Sequence, residues 1–208
     1  FGVWHPTSAH AWGAVGHRFI TDTAIEELPA PLKAYFKNYK GQVKTNAAIE
    51  PPGDHFIDID YYTNFFTHNL THDLSVLIAQ YGGTIVTNNG MVPWTATNYY
   101  QTLRTRFAAA TTTADWTNVL FTAGAMAHYL EDLHNPMHLT TNYNGQYTGQ
   151  SGLHSRYEST LIQKRIDAGL QLATNLADCI YYPSLRNAIF DEIDLDYTNN
   201  PTLRAADM

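Results

Sequence analysis

Residues 112–138 read TTADWTNVLFTAGAMAHYLEDLHNPMH, and their periodicity decides the fold. Trp116, Leu120, Gly124, Ala127 and Leu130 recur at three- and four-residue steps, the spacing that gathers side chains on one face of an α-helix. Thr112 or Thr113 supplies an oxygen to cap the first turn. Ala123, Gly124, Ala125 and Ala127 carry almost no side chain, so neighbouring helices can approach closely. A long, central, buried helix is expected. His128 and Asp132 stand four apart on it, sharing a face of the most apolar helix in the chain. Asn135-Pro136 ends the helix, and His138 follows the turn.

Helical spacing continues on both sides. Val15, Phe19, Ile20, Ala24, Ile25 and Leu28 predict a helix ending near Pro29, and a shorter one covers Pro31 to Lys40 and stops at Gly41. Residues 41–67 read as irregular, with Pro51-Pro52-Gly53 as a breaker. Helices follow at about His72–Tyr81 and Thr95–Ala110, separated by a Gly/Asn-rich loop over 82–93. A polar, glycine-rich loop over 140–152 leads to a helix beginning near His154. One or two more helices, broken at Pro183, reach about Glu192, and a frayed tail follows. Thr84-Ile85-Val86-Thr87 is the one ambiguous strand pattern, and no internal repeat is present. The expected fold is all-α, a single compact domain of packed helices.

The 208 residues are 44% hydrophobic and only 15% charged, which describes a folded globular chain. A net charge of −7 with 12 Lys+Arg and no basic run argues against a duplex-DNA binder that works by neutralising phosphates. Chemistry on phosphodiesters stays open, because bound cations can supply positive charge locally. Cys179 is the single cysteine, so no intrachain disulfide can form, and it reads as a core residue. No apolar run approaches the ~20 residues of a membrane span. Ala9-His10-Ala11 has the small-x-small form of a signal-peptidase site, so residues 1–11 read as the remnant of a cleaved leader and residues 12–208 as the working domain. This points to a secreted or periplasmic protein, which the Asn69-Leu70-Thr71 sequon fits without adding weight in a chain this rich in Asn and Thr.

A second pair, His154 and Glu158, repeats the four-residue spacing. Imidazole and carboxylate at such spacing suit zinc. Ionised Asp132 buried without a partner would cost several kcal/mol, and a bound cation removes that cost. One i, i+4 pair is ordinary surface chemistry, but two pairs with His138 between them favour a metal site.

The sequence H-x3-D-x5-H over 128–138, followed by His154-Ser155-Arg156-Tyr157-Glu158, resembles the bacterial zinc-dependent phospholipases C. Trp12-Gly13-Ala14-Val15-Gly16-His17 and His55-Phe56-Ile57-Asp58 resemble the related zinc-dependent single-strand-specific nucleases of fungi and plants. The blocks fall in the family's order over residues 12–158. The resemblance implies a mostly helical fold with two or three zinc ions. His55, His128 and Asp132 would hold one zinc of a close pair, and His138, His154 and Glu158 the other. The third would take the amino nitrogen and carbonyl oxygen of Trp12, with His17 and a bridging Asp132, and so requires cleavage after Ala11. The family's bridging aspartate upstream of His55 has no clear counterpart: Glu50 and Asp54 are the candidates, with Asp58 and Asp60 either further ones or buttresses of His55. Val15 replaces an acid that choline-specific members carry.

Zinc-activated water attacking a phosphodiester, with a third zinc at the departing alkoxide, is the expected chemistry. No Ser/His/Asp or Cys/His arrangement competes with it. A phospholipase C-like hydrolase is the leading reading. A single-strand nuclease yielding 5'-nucleotides is the alternative, for which Tyr61, Tyr62, Phe65 and Phe66 could stack bases. Tyr143, Asn144 and Tyr147 in the 140–152 loop could shape the pocket of either. A non-enzymatic protein with structural zinc is disfavoured because no cysteine ligand is on offer. His134 reads as a surface residue, and His68 and His72 as a solvated helix start. No stable protein partner is implied.

Overall fold

The computed structural model describes residues 12–49, 55–172 and 182–208, and among them every regular element is helical. Thr112 caps α7 (Thr113–Leu133): its hydroxyl accepts from the Asp115 amide while the Asp115 carboxylate accepts from the Thr112 amide, a reciprocal pair that satisfies two otherwise orphaned donors. α7 crosses the middle of the molecule, with α6 (Val92–Ala109) along one side and α3 (Lys40–Ala47) along another. α1 (Gly13–Glu27) and α2 (Ala30–Asn38) close that second side. The small-residue stretch of α7 is where α3 lies closest. A Cβ on Gly124 would come within 2.8 Å of the Val43 carbonyl oxygen and 2.9 Å of the Ala47 nitrogen, so only glycine permits this approach.

Packing explains where local sequence signals mislead. Residues 41–47 were expected to be irregular, with Gly41 as a stop, yet they belong to α3. Val43 and Ala47 are buried, and Lys40 and Lys44 reach Asp22 of α1 at 2.9 and 2.6 Å. Tertiary contacts here outweigh the weak helix propensity of Gly41. The expected loop over 82–93 contains α5 (Gly83–Asn88), and Thr84–Thr87 is helical rather than a strand; only Val86 of the four is buried, one residue per turn. It follows α4 (Leu74–Tyr81), which Asp73 caps through the Ser75 and Val76 amides.

The expected helix at His154 begins at α8 (Leu153–Ser155), passes through a π-helical turn over Arg156–Leu161, and continues as α9 (Ile162–Asp167). The tail is not frayed. α10 (Leu185–Tyr197) drives Ile189, Phe190 and Ile193 into the main core with Ile57, Trp94 and Tyr129. α11 (Asn200–Asp207) is held by Arg156, whose guanidinium donates to Asp207 at 2.6 and 2.8 Å. A smaller core of Ile25, Phe36, Val43, Leu120 and Ala123 sits under α1–α3. The architecture is a single domain of packed helices, and no helix among the described residues is long and apolar enough to cross a membrane. Glu50, Asp54 and Cys179 lie outside the described residues, as do residues 1–11 of the expected leader.

Candidate metal centre

Four segments aim histidines and carboxylates at one buried region. α7 contributes His128 and Asp132, both essentially inaccessible, with His128 Nε2 3.1 Å from Asp132 Oδ2. α1 brings His17 against them: its ring stacks on that of His128 at 4.0 Å, and its Nε2 lies 3.4 Å from Asp132 Oδ1. The α8 and π-turn segment keeps His154 and Glu158 on one face despite the π-turn, with His154 Nε2 2.9 Å from Glu158 Oε2. After the Asn135-Pro136 turn, His138 Nε2 approaches His154 Nε2 at 3.0 Å and Glu158 Oε2 at 3.5 Å.

Two groups result: His17, His128 and Asp132 in one, and His138, His154 and Glu158 in the other. Within each, the candidate ligand atoms lie no more than 4.8 Å apart. The second is the set expected from the sequence. In the first, His17 joins His128 and Asp132 in the position assigned to His55. The His55 ring lies near both groups, with its centroid 5.2 Å from His138 and 6.3 Å from His128. The Trp12 nitrogen donates to Glu158 Oε2 at 2.9 Å, and its indole donates to the Glu131 carbonyl at 2.6 Å.

The hydrogen bonds on the far side of the rings fix how they face inward. His128 Nδ1 donates to the Ala47 carbonyl at 2.8 Å, and His138 Nδ1 to the His55 carbonyl at 3.1 Å. A carbonyl can only accept, so each Nδ1 carries a proton, and whenever the ring is neutral the Nε2 lone pair points inward. Those lone pairs meet carboxylate oxygens, a repulsive arrangement unless a proton or a cation lies between. Asp132 is fully buried, and neither of its oxygens has a donor of hydrogen-bond geometry among the described residues. A buried, unsatisfied carboxylate facing two imidazole nitrogens fits a divalent cation.

The electrostatics point the same way. Burial pushes Asp132 above the usual carboxylate range. His138 is raised: burial pushes it down, but Asp132 and Glu158 outweigh that. Glu158 is lowered, since its hydrogen bonds to His138 and His154 overcome its burial. Burial and the neighbouring imidazoles, His138 foremost, push His55 down to about 3. The acids thus draw positive charge into a cluster whose imidazoles otherwise resist it.

Glu131 was not foreseen. Its Oε2 contacts His17 Nδ1 at 2.5 Å, its Oε1 accepts from the Thr21 hydroxyl at 2.6 Å, and burial pushes it well above the usual range. It holds the His17 ring as the Ala47 carbonyl holds His128. Its signal in the sequence was a second acid on an apolar helix. Its partners His17 and Thr21, four apart on α1, became visible only once α1 packed on α7. Asn135, fully buried, accepts from the Met137 amide at 3.0 Å and donates to Glu158 Oε2 at 3.1 Å, so the turn aims His138 and steadies Glu158 together.

Asp60 is a buttress: it accepts from the Thr140 hydroxyl and the Thr141 amide at 2.6 and 2.8 Å, tying 55–60 to the segment after His138. Asp58 is pushed up to about 7 by burial and by Asp60. Tyr62 and Phe65 are core residues, leaving Tyr61 and Phe66 exposed. In the 140–152 loop Tyr147 is exposed, whereas the Tyr143 ring lies 6.1 Å from His154. His134 is exposed beside Asp196, His68 is exposed beside Asp194, and His72 stacks on Phe190. Compared with family models, curated proteins and solved structures, the chain matches none.

Proposed function

We propose that this chain is a zinc-dependent phosphodiester hydrolase of the phospholipase C type, working in a secreted or periplasmic setting. The observation that carries the reading is the pair of carbonyl-locked imidazoles, His128 and His138, whose Nε2 lone pairs face the buried carboxylates of Asp132 and Glu158. His17, His128 and Asp132 would hold one ion and His138, His154 and Glu158 another, with His55 near both and the Trp12 amino group beside Glu158 once residues 1–11 are removed. Zinc bound there would supply an acidified water and the positive charge that a phosphodiester and its leaving alkoxide require. The protein's own part is orientation: Glu131, Asn135 and the Ala47 and His55 carbonyls fix the rings and carboxylates before any ligand arrives.

A lipid substrate is favoured over nucleic acid because two of the four aromatics available for base stacking, Tyr62 and Phe65, are committed to the core, and the chain has no basic run. The nuclease reading keeps the exposed Tyr61 and Phe66 and the Tyr143 ring beside His154, platforms of the kind on which a base stacks.

Zinc content and hydrolysis of bis-p-nitrophenyl phosphate, measured together before and after chelation, test the reading. Bound zinc, and hydrolysis lost on chelation with the helical fold retained, is the expected result. Purified chain that takes up no zinc and hydrolyses nothing would overturn it. Phosphatidylcholine vesicles and single-stranded DNA, offered in parallel, separate the two substrate classes.

A further inference from the structure

A third group of metal-ligating side chains lies outside the centre described above. His134 is the C-cap of α7, and its Nδ1 lies 2.8 Å from Asp196 Oδ2 in the last turn of α10. Glu192 stands one turn before Asp196 on the same face, and the candidate ligand atoms of all three residues lie within 4.8 Å of one another.

The surroundings call for a cation. The C-terminal end of a helix carries about half a negative charge, and here the ends of α7 and α10 converge. α10 adds Asp191, Glu192, Asp194 and Asp196 to its own negative end, with Arg186 at its start as the helix's single Lys or Arg, and no basic residue lies in its last turn. Glu192 and Asp196, four apart, repel each other on the helix surface. His134, the one residue of the group able to carry positive charge, balances at most one of the two carboxylates.

We infer that His134, Glu192 and Asp196 form a separate binding site for a zinc-class divalent cation. The imidazole argues for zinc over calcium or magnesium, which take oxygen ligands. Three protein donors leave one position for water, and the outward side is open, with the His134 side chain 55% exposed. The ion would replace the proton between His134 and Asp196 and clip α10 to the end of α7, just before the turn that carries Asn135 and His138. This site stands independently of the hydrolase reading.

Zinc per chain is measured on the full chain after gel filtration, for the wild type and for the double variant Glu192→Gln, Asp196→Asn. A loss of about one zinc equivalent in the variant, with unchanged circular dichroism, is expected; equal zinc content overturns the proposal. A zinc-edge anomalous map from crystals grown with zinc locates the ions. A peak between the three side chains is the expected result, even if the buried groups show none, in which case the hydrolase reading alone falls. Peaks confined to the buried groups overturn this site and leave that reading intact.

Discussion

Replacing Asp132 with asparagine should have opposite effects with and without metal. Without metal, the aspartate is fully buried, its oxygens have no hydrogen-bond donor among the described residues, and the Nε2 atoms of His128 and His17 face it at 3.1 and 3.4 Å. An unsatisfied buried acceptor costs about 1–3 kcal/mol, and more when charged. Asparagine keeps the shape, removes the charge, and offers an N–H to His128 Nε2. The metal-free variant should therefore be more stable by about 2 kcal/mol, or roughly 4–8 °C in Tm for a chain of this size.

With zinc the order reverses. Zinc at a hundred times its Kd adds about 2.7 kcal/mol to the wild type, and the variant, lacking the carboxylate, should gain little. Calorimetry of both proteins in chelator and in zinc reads all four midpoints. The pH dependence carries the same sign. Burial raises Asp132, so its contribution to metal-free stability is present at low pH and lost as pH rises through its folded pKa. Zinc binding instead weakens as pH falls, because the ligands must give up their protons. A metal-free variant less stable than the wild type, or equal zinc shifts in the two proteins, would refute the reasoning.

Glu131→Gln should weaken zinc binding by about 10–100-fold through a less well-held His17, measured by chelator competition; unchanged affinity would show that the contact does not position the ligand. Asp58 is pushed up to about 7 from 3.8, so metal-free stability should fall as pH rises from about 4 to about 7, and urea unfolding of Asp58→Asn should show a flatter profile over that range. Gly124→Ala should destabilise by about 1–3 kcal/mol, because the added methyl meets the backbone of α3; a variant as stable as the wild type would mean that α3 moves aside freely. A chain beginning at Trp12 should bind about one more zinc than the 208-residue chain and hydrolyse bis-p-nitrophenyl phosphate faster, as elemental analysis and the assay would show.

What could be read from the sequence was whatever depends on residues close together along it. α7 was legible because five residues repeat at helical spacing and a threonine stands at its start; the His128–Asp132 and His154–Glu158 pairs were legible because four residues is one turn. α3 was not, since a stretch containing Gly41 and few apolar side chains becomes helical only when Val43 and Ala47 find the glycine gap on α7. α5 and α11 were missed for a related reason: each buries a single residue, Val86 and Asn200, and its partners lie far away in the chain, whereas α10 was expected and only its end, past Glu192, was not.

The same division runs through the candidate centre. Two of its inward-facing pairs, His128–Asp132 and His154–Glu158, are local, but His17 joins from α1 and what fixes the rings is distant. His128 is held by Ala47, eighty-one positions away, His138 by the carbonyl of His55, and His17 by Glu131. These outer bonds decide which ring nitrogen carries the proton, and hence whether a cation is welcome. A helix that merely exposed His128 and Asp132 would give a weak polar pair. The same residues, locked from behind by distant carbonyls and closed off from water, leave a buried negative charge that a metal ion would relieve.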